Sequence, residues 1–209
     1  GNKYMTMEVT TILARLNTLT GQQENSRLLS EAFKYLDRRI ADEVKTMKKE
    51  AQKKHPQVLD PSEFACNYLY ASALAGRKPS ADMRYLLNLL EKKTTKLTIY
   101  GKARSAVILA QYGFSTRAKE YLQSLNEYAV YKEEMGRYYD THRAYYSWRD
   151  YRIPTQVAAI EAMKRLTPQD TKTIEAMQRW LLQEKRTQSW DTPANAVDAV
   201  YAFLATQEG

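Results

Sequence analysis

The sequence predicts an all-α fold built of helical hairpins, and three observations support this prediction. Apolar residues recur at three- and four-residue spacing in run after run, which is typical of helices with one buried face. No stretch of the 209 residues alternates polar and apolar side chains with period two, so no strand is expected. Alanine-rich runs return at a fixed interval, which indicates a repeated helical unit.

The first two helices are expected at residues 4–19 and 26–54. The first should end at Gly21 and bury one apolar face. That face consists of Met7, Val9, Ile12, Leu13 and Leu16. The second keeps a single buried stripe, after which a lysine-rich tail should project from the core. The stripe consists of Leu29, Phe33, Leu36, Ile40, Val44 and Met47. His55-Pro56 ends this helix, because the residue before a proline is pushed out of the α region.

The third helix is expected to open at Asp60 and to run to Leu74. Asp60 would cap it and Pro61 would occupy its first turn, where the missing N–H is not needed. Its residues are apolar around most of the helix, which favours an inner position surrounded by other helices.

Six more helices are expected, and those rich in alanine alternate with others of larger side chains. The predicted helices lie at residues 81–93, 99–112, 116–128 and 154–166, with two more that open at 167–170 and at 191–193. The first of the last two presents an apolar face consisting of Ile174, Met177, Trp180 and Leu181. Each of these two opens with a hydroxyl side chain and a proline, a common start of a helix.

The spacing of the alanine-rich helices defines the repeat. The starts near Ala65 and Ala103 are 38 residues apart, as are those near Ala158 and Ala196, whereas 55 residues separate the middle two. The repeat is therefore a helical hairpin, and one copy holds an insertion of 17 residues. Small residues let helices approach closely at a crowded centre. This arrangement is typical of an α/α toroid or an open α-solenoid. A single domain over residues 1–209 is expected.

The insertion spans residues 129–152 and is rich in tyrosine and arginine. Tyrosine, tryptophan and arginine are the residues that dominate interface energetics. The predicted interaction surface comprises Tyr138, Tyr139, Arg143, Tyr146, Trp148, Arg149 and Tyr151. The alternative is that these rings fill the mouth of the toroid and pack on their own loop.

The end of the chain resembles a known family. Trp180-Leu181-Leu182, a basic turn that reaches Trp190, and the run AVDAVYAFL at residues 196–204 are similar to the end of the α/α-toroid (thioester or complement-like) domain of bacterial α2-macroglobulins. The aromatic segment 146–150 is similar to the one that precedes the same helix in that family. The likeness is specific over residues 145–205 and rests on pattern alone over residues 4–128. Gln188 and Ser189 stand where the family usually has glycine.

This resemblance favours a closed toroid over an open solenoid, and the expected fold is a toroid or an incomplete toroid. It implies a structural and interaction domain of a cell-envelope or periplasmic endopeptidase inhibitor. Its partners would be the other domains of the parent protein, with proteases as targets of the parent. Thioester-bearing members have a cysteine two residues before a Glu-Gln pair, but Cys66 is followed by Asn67-Tyr68-Leu69. Covalent trapping by this chain is therefore not expected, and Cys66 should be buried and unreactive. Gly1 resembles a remnant of a cleaved tag, so a piece of a larger protein is expected.

No catalytic residue, cofactor or metal site is predicted, since one cysteine and two histidines are too few for the usual zinc patterns. One rival is an α/α-toroid enzyme acting on a glycan or an isoprenoid, whose only candidate cluster is Tyr139, Asp140, His142 and Asp150. The other is a helical-repeat adaptor that binds a peptide, which contacts between the first and last hairpins would exclude.

The distribution of charge and the hydropathy bear on two further classes of partner, nucleic acids and membranes. The net charge is +8, but the lysines gather at helix ends, where the helix dipole favours them, so no nucleic-acid partner is expected. No apolar run approaches the length needed to span a bilayer, so no membrane insertion is expected.

Overall fold

The computed structural model describes residues 2–21, 25–57, 59–92, 97–139, 152–187 and 200–204. The fold is all-α, as predicted, and the described residues add one short β-hairpin to the helices. The chain divides into two compact units, an N-terminal unit (Gly1–Thr94) and a C-terminal unit (Thr95–Gly209). The single domain and the closed toroid remain predictions.

In the N-terminal unit, the residues that the structure describes form four helices. They are α1 (Lys3–Thr20), α2 (Ser26–Ala51), α3 (Glu63–Leu74) and α4 (Ala81–Lys92). Helix α1 packs against α2 and α3, and α4 packs against α2 and α3. The apolar stripe predicted for α2 is confirmed, since all six of its residues from Leu29 to Met47 are buried. The helix ends three residues earlier than predicted, in its lysine-rich tail.

The apolar face predicted for α1 is wrong in part. Val9 and Leu16 are 46% and 38% exposed, whereas Met7, Thr10, Ala14 and Arg15 are the residues that α1 buries. The cause is a polar contact with α3. The Arg15 guanidinium lies 5.3 Å from the centre of the Tyr70 ring and donates to the Tyr70 hydroxyl at 3.1 Å. A buried charge needs such a partner, and this pairing turns α1 away from its apolar stripe.

Helix α3 and its N-cap lie two residues later than predicted. The Ser62 hydroxyl accepts a hydrogen bond from the backbone N–H of Ala65 at 3.0 Å, so Ser62 is the N-cap and Asp60 precedes the helix. Eight of the twelve residues of α3 are buried, from Phe64 to Ala73. Its predicted inner position is confirmed.

In the C-terminal unit, the described residues form four helices of 12 to 17 residues, the hairpin and one short helical stretch. Its elements are α5 (Ile99–Gln111), α6 (Ser115–Asn126), β1 (Ala129–Lys132), β2 (Gly136–Tyr139), α7 (Arg152–Leu166) and α8 (Thr171–Thr187), and residues 200–204 are also helical. Helix α5 packs against α6 and α7, and α7 packs against α8. Most alanines of the two inner helices, α5 and α7, are almost fully covered, and Ala110 at the end of α5 is half-buried. Those at most 2% exposed are Ala103, Ala106, Ala158, Ala159 and Ala162. The prediction that alanine-rich helices lie inside is confirmed for α3, α5 and α7.

The prediction of no strand is wrong. Strands β1 and β2 form an antiparallel pair in which Ala129 lies opposite Tyr139 and Lys132 lies opposite Gly136. The hairpin occupies the first half of the predicted insertion. Strands of four residues are too short to show a clear period-two pattern, and an isolated two-stranded hairpin is marginally stable in water. Contacts with α8 supply the missing stability.

Candidate interaction site

The hairpin lies directly on α8, and Gly136 is the point of closest approach. A Cβ atom at Gly136 would lie 2.3 Å from the carbonyl oxygen of Ala176 and 3.2 Å from the backbone nitrogen of Trp180. Gly136 also has φ +95°, in the left-handed region that favours glycine. Only a residue without a side chain fits between the strand and the helix.

An aromatic pair extends this contact along β2. The Tyr138 ring stacks on the Trp180 indole, with centroids 6.1 Å apart and planes 19° from parallel. The Arg152 guanidinium lies 5.6 Å from the centre of the Trp180 ring and pairs with the Glu184 carboxylate at 2.9 Å. The start of α7 and the end of β2 therefore meet on one side chain of α8.

A buried amide completes the junction. The Gln156 side chain is 2% exposed, and its Nε2 donates to the carbonyl oxygens of Arg137 at 2.8 Å and Met177 at 3.2 Å. One side chain of α7 thus bonds to the backbones of both β2 and α8. Because a buried amide without partners is costly, this bridge favours a single position of the hairpin.

Tyr139 is a core residue rather than part of an exposed surface. It is 5% exposed, and its hydroxyl donates to the Asn126 Oδ1 at 3.0 Å. Burial raises the pKa of Tyr139 to about 12, so the phenol is neutral at physiological pH. Tyr139 therefore packs in the core of its unit, whereas the filling of a toroid mouth by these rings stays a prediction. Tyr138 is half-buried against Trp180, and the other five predicted surface residues lie outside the described residues: Arg143, Tyr146, Trp148, Arg149 and Tyr151.

The exposed apolar residues near the hairpin are not among the residues predicted for the interaction surface. Tyr131 on β1 is 61% exposed, Met135 in the turn is 36% exposed, and Leu182 on α8 is 49% exposed. The turn and α8 are joined, because the Gln183 side chain donates to the Glu134 carbonyl oxygen at 3.5 Å. A signal was present, since a glycine after a short polar turn is typical of a hairpin. We call Tyr131, Met135 and Leu182 the hairpin surface.

The N-terminal unit holds a second group of interacting side chains that the sequence analysis missed. The Arg77 guanidinium donates to both carboxylate oxygens of Asp37, at 3.0 and 2.9 Å, and lies 4.2 Å from the centre of the Phe33 ring. The Tyr68 hydroxyl also bonds to Asp37, and burial, followed by this bond, raises the pKa of Tyr68. These side chains join α2, α3 and the segment after α3, so their role is structural.

The structure describes only some of the residues that the sequence offers for a catalytic or metal site. No group of three or more histidine, cysteine or acidic residues among them could hold a metal ion. Of the candidate cluster for an enzyme, Asp140, His142 and Asp150 lie outside the described residues. Cys66 is half-buried, which corrects the prediction of full burial, because it lies on the less covered side of α3 beside Asn67. None of the described helices is long and apolar enough to cross a membrane.

Comparison of the chain with protein-family models, with curated proteins and with solved structures finds no match. The geometry and the sequence resemblance are therefore the grounds for a function.

Proposed function

We propose that this chain is a structural and interaction domain of a bacterial α2-macroglobulin-like endopeptidase inhibitor, with a closed α/α toroid as its fold. The observation that carries the proposal is the position of the insertion on α8. That helix contains Trp180-Leu181-Leu182, part of the resemblance to the family. The alternation of buried alanine-rich helices with helices of larger side chains also supports it.

The hairpin surface is the part of the chain that we expect to contact other domains of the parent protein. Tyr131, Met135 and Leu182 expose apolar area. Strand β1 pairs with β2, and β2 packs on α8, so the backbones of these residues are held in place. Binding would therefore order few groups and lose little entropy. The partners of the hairpin surface would be the other domains of the parent protein. Proteases would be targets of the whole parent protein, in the cell envelope.

Our proposal assigns no catalysis to the chain. The Tyr139 hydroxyl is bonded to Asn126 and keeps its proton at neutral pH, so it is a poor base. A thioester trap would need a cysteine followed by a Glu-Gln pair, and the only cysteine is followed by Asn67. The chain's contribution is to shape and assembly.

The proposal is tested in the whole product of the reading frame that contains these 209 residues. The frame should encode further domains on at least one side, and its product should inhibit the cleavage of a protein substrate by an endopeptidase. The double variant Tyr131→Ser/Leu182→Ser should weaken inhibition by about tenfold, as expected for interface residues. The matched control is Leu28→Ser/Leu204→Ser, which changes two other exposed residues and should leave inhibition nearly unchanged.

Two results would contradict the proposal. The first is a full-length product that leaves endopeptidase activity unchanged. The second is an enzymatic activity that is abolished by Asp140→Ala/His142→Ala while the thermal unfolding midpoint stays the same. In the second case the enzyme interpretation replaces the inhibitor interpretation.

A further inference from the structure

A groove of about 350 Å³ lies between the second half of α2 and the start of α4. Three lysines line it, Lys45, Lys48 and Lys49, and the one acid in its lining is Asp82. The floor includes the buried side chain of Val44. The groove belongs entirely to the N-terminal unit and is separate from the hairpin surface.

The positive charge of the groove is not neutralised by the described side chains. None of the three lysines forms an ion pair within the part of the chain that the structure describes. Lys53, one turn further on, does pair with Glu50, at 2.5 Å. The helix dipole explains a lysine in the last turn of α2, but its effect does not extend back to Lys45, six residues before Ala51.

We propose that this groove binds an acidic segment of a polypeptide through its carboxylates. Three ammonium groups around a concave surface complement a run of aspartate and glutamate side chains. The Lys48 ammonium lies 5.2 Å from the centre of the Tyr85 ring, which limits its freedom before binding. This inference is independent of the inhibitor proposal, because it uses no residue of the hairpin surface.

Other anionic partners fit the groove less well. Nucleic-acid bases need an open aromatic face for stacking, and Lys48 covers the face of Tyr85. A membrane surface needs apolar side chains that protrude, whereas the apolar Val44 lies at the floor.

The test measures binding of a fluorescein-labelled deca-glutamate peptide to the 209-residue chain by fluorescence anisotropy, at low and at physiological salt. The groove variant is Lys45→Gln/Lys48→Gln/Lys49→Gln. Its matched control is Lys78→Gln/Lys119→Gln/Lys172→Gln, which removes the same charge from three exposed lysines elsewhere. We expect the groove variant to bind about tenfold more weakly and the control less than about threefold more weakly.

Each variant of a second pair removes one negative charge, and this comparison does not depend on the folding of the triple variant. Asp82→Asn removes the acid from the groove, and Glu175→Gln removes an exposed acid from α8. The first should tighten deca-glutamate binding by about twofold and the second should not. Circular dichroism melts establish that each variant is folded.

Three outcomes would overturn the inference. The wild-type chain does not bind deca-glutamate even at low salt. Alternatively, the two triple variants lose affinity equally, which would show that binding depends on the net charge of the chain and not on the groove. Finally, a ten-residue oligothymidylate or vesicles with phosphatidylserine bind more tightly than deca-glutamate, and the groove variant alone loses that binding, which would assign the groove to phosphate.

Discussion

The ring of Tyr138 lies against the indole of Trp180, with centroids 6.1 Å apart, and it joins the insertion to helix α8. The Trp180 ring is also covered by other parts of the unit, since Trp180 is 3% exposed, whereas Tyr138 is half-buried. Aromatic pairs of this geometry contribute about 0.5–1.5 kcal/mol beyond the area that they bury. The pair therefore has a measurable share in holding the hairpin.

A double-mutant cycle measures that share. We expect Tyr138→Leu and Trp180→Leu to be less destabilising together than the sum of the single variants, by about 0.5–1.5 kcal/mol, because either change alone already removes the stacking. Urea unfolding followed by circular dichroism gives the four free energies. The control cycle pairs Tyr131→Leu with Trp180→Leu. Its two changes should add, and coupling of equal size there would contradict the assignment.

Gly136→Ala should destabilise the C-terminal unit by about 2–4 kcal/mol, since it combines a left-handed φ with a collision against the Ala176 carbonyl. Gly113→Ala is the matched control in the same unit. Gly113 has φ +88°, but a Cβ there would meet no atom within 4 Å, so only the backbone cost of about 1–2 kcal/mol applies. All three tryptophans belong to this unit, so their fluorescence reports its unfolding. Equal losses for the two variants would show that the hairpin does not need close approach to α8.

The spacing of apolar residues and the runs of alanine were sufficient to predict most of the described helices and which of them are buried. The stripe of α2 and most alanines of α3, α5 and α7 are buried as predicted, because burial follows apolar spacing along a helix. Spacing failed where a tertiary polar contact decided the orientation, as it did when Arg15 met Tyr70. It failed again at the hairpin, whose stability depends on α8 and not on its own pattern. Tyr139 was assigned to a surface because its partner, Asn126, is on another element.

The stability of the C-terminal unit should fall in alkali through Tyr139. Its pKa is about 12 when folded, above the value of about 10 in an unfolded chain. Below pH ~10 the phenol is neutral in both states, and its contribution is fully present. Between pH ~10 and 12 the unfolded state loses the proton and the folded state keeps it, so about 2–3 kcal/mol of stability is lost.

Tyr139→Phe should therefore flatten the alkaline loss while it costs about 1 kcal/mol at pH 7, where the bond to Asn126 is missing. Urea midpoints across this pH range, read from tryptophan fluorescence, measure both effects. Tyr131→Phe is the control, because Tyr131 is 61% exposed and should leave the curve unchanged. An unaltered alkaline slope in Tyr139→Phe would mean that other groups cause it.

Ala106→Leu should destabilise the C-terminal unit by about 1–3 kcal/mol through overpacking. Ala106 is fully buried in α5, between α6 and α7, where three extra carbons have no room. Lys119→Leu makes a change of similar chemistry at an exposed position of α6 and should alter stability by less than about 0.5 kcal/mol. Thermal and urea unfolding compare the two. A small effect at Ala106 would remove the distinction between inner and outer helices.

Arg77→Lys should destabilise the N-terminal unit by about 1–2 kcal/mol, although it keeps the charge. The Arg77 guanidinium bonds both oxygens of Asp37 and lies over the Phe33 ring, and a lysine ammonium cannot do both. The pair is partly exposed, with 29% and 40% of the two side chains accessible, so solvent moderates the loss.

Arg84→Lys is the matched control for Arg77→Lys, because Arg84 lies in the same unit, on the exposed side of α4. It should be neutral, and urea unfolding followed by circular dichroism compares the two variants. High salt separates the two interactions of Arg77. Screening weakens its charge pair with Asp37 but affects the packing on Phe33 little, so part of the loss in Arg77→Lys should persist at 1 M salt, where the Debye length is about 3 Å. Complete disappearance of the difference at high salt would show that the ion pair alone holds this segment to α2.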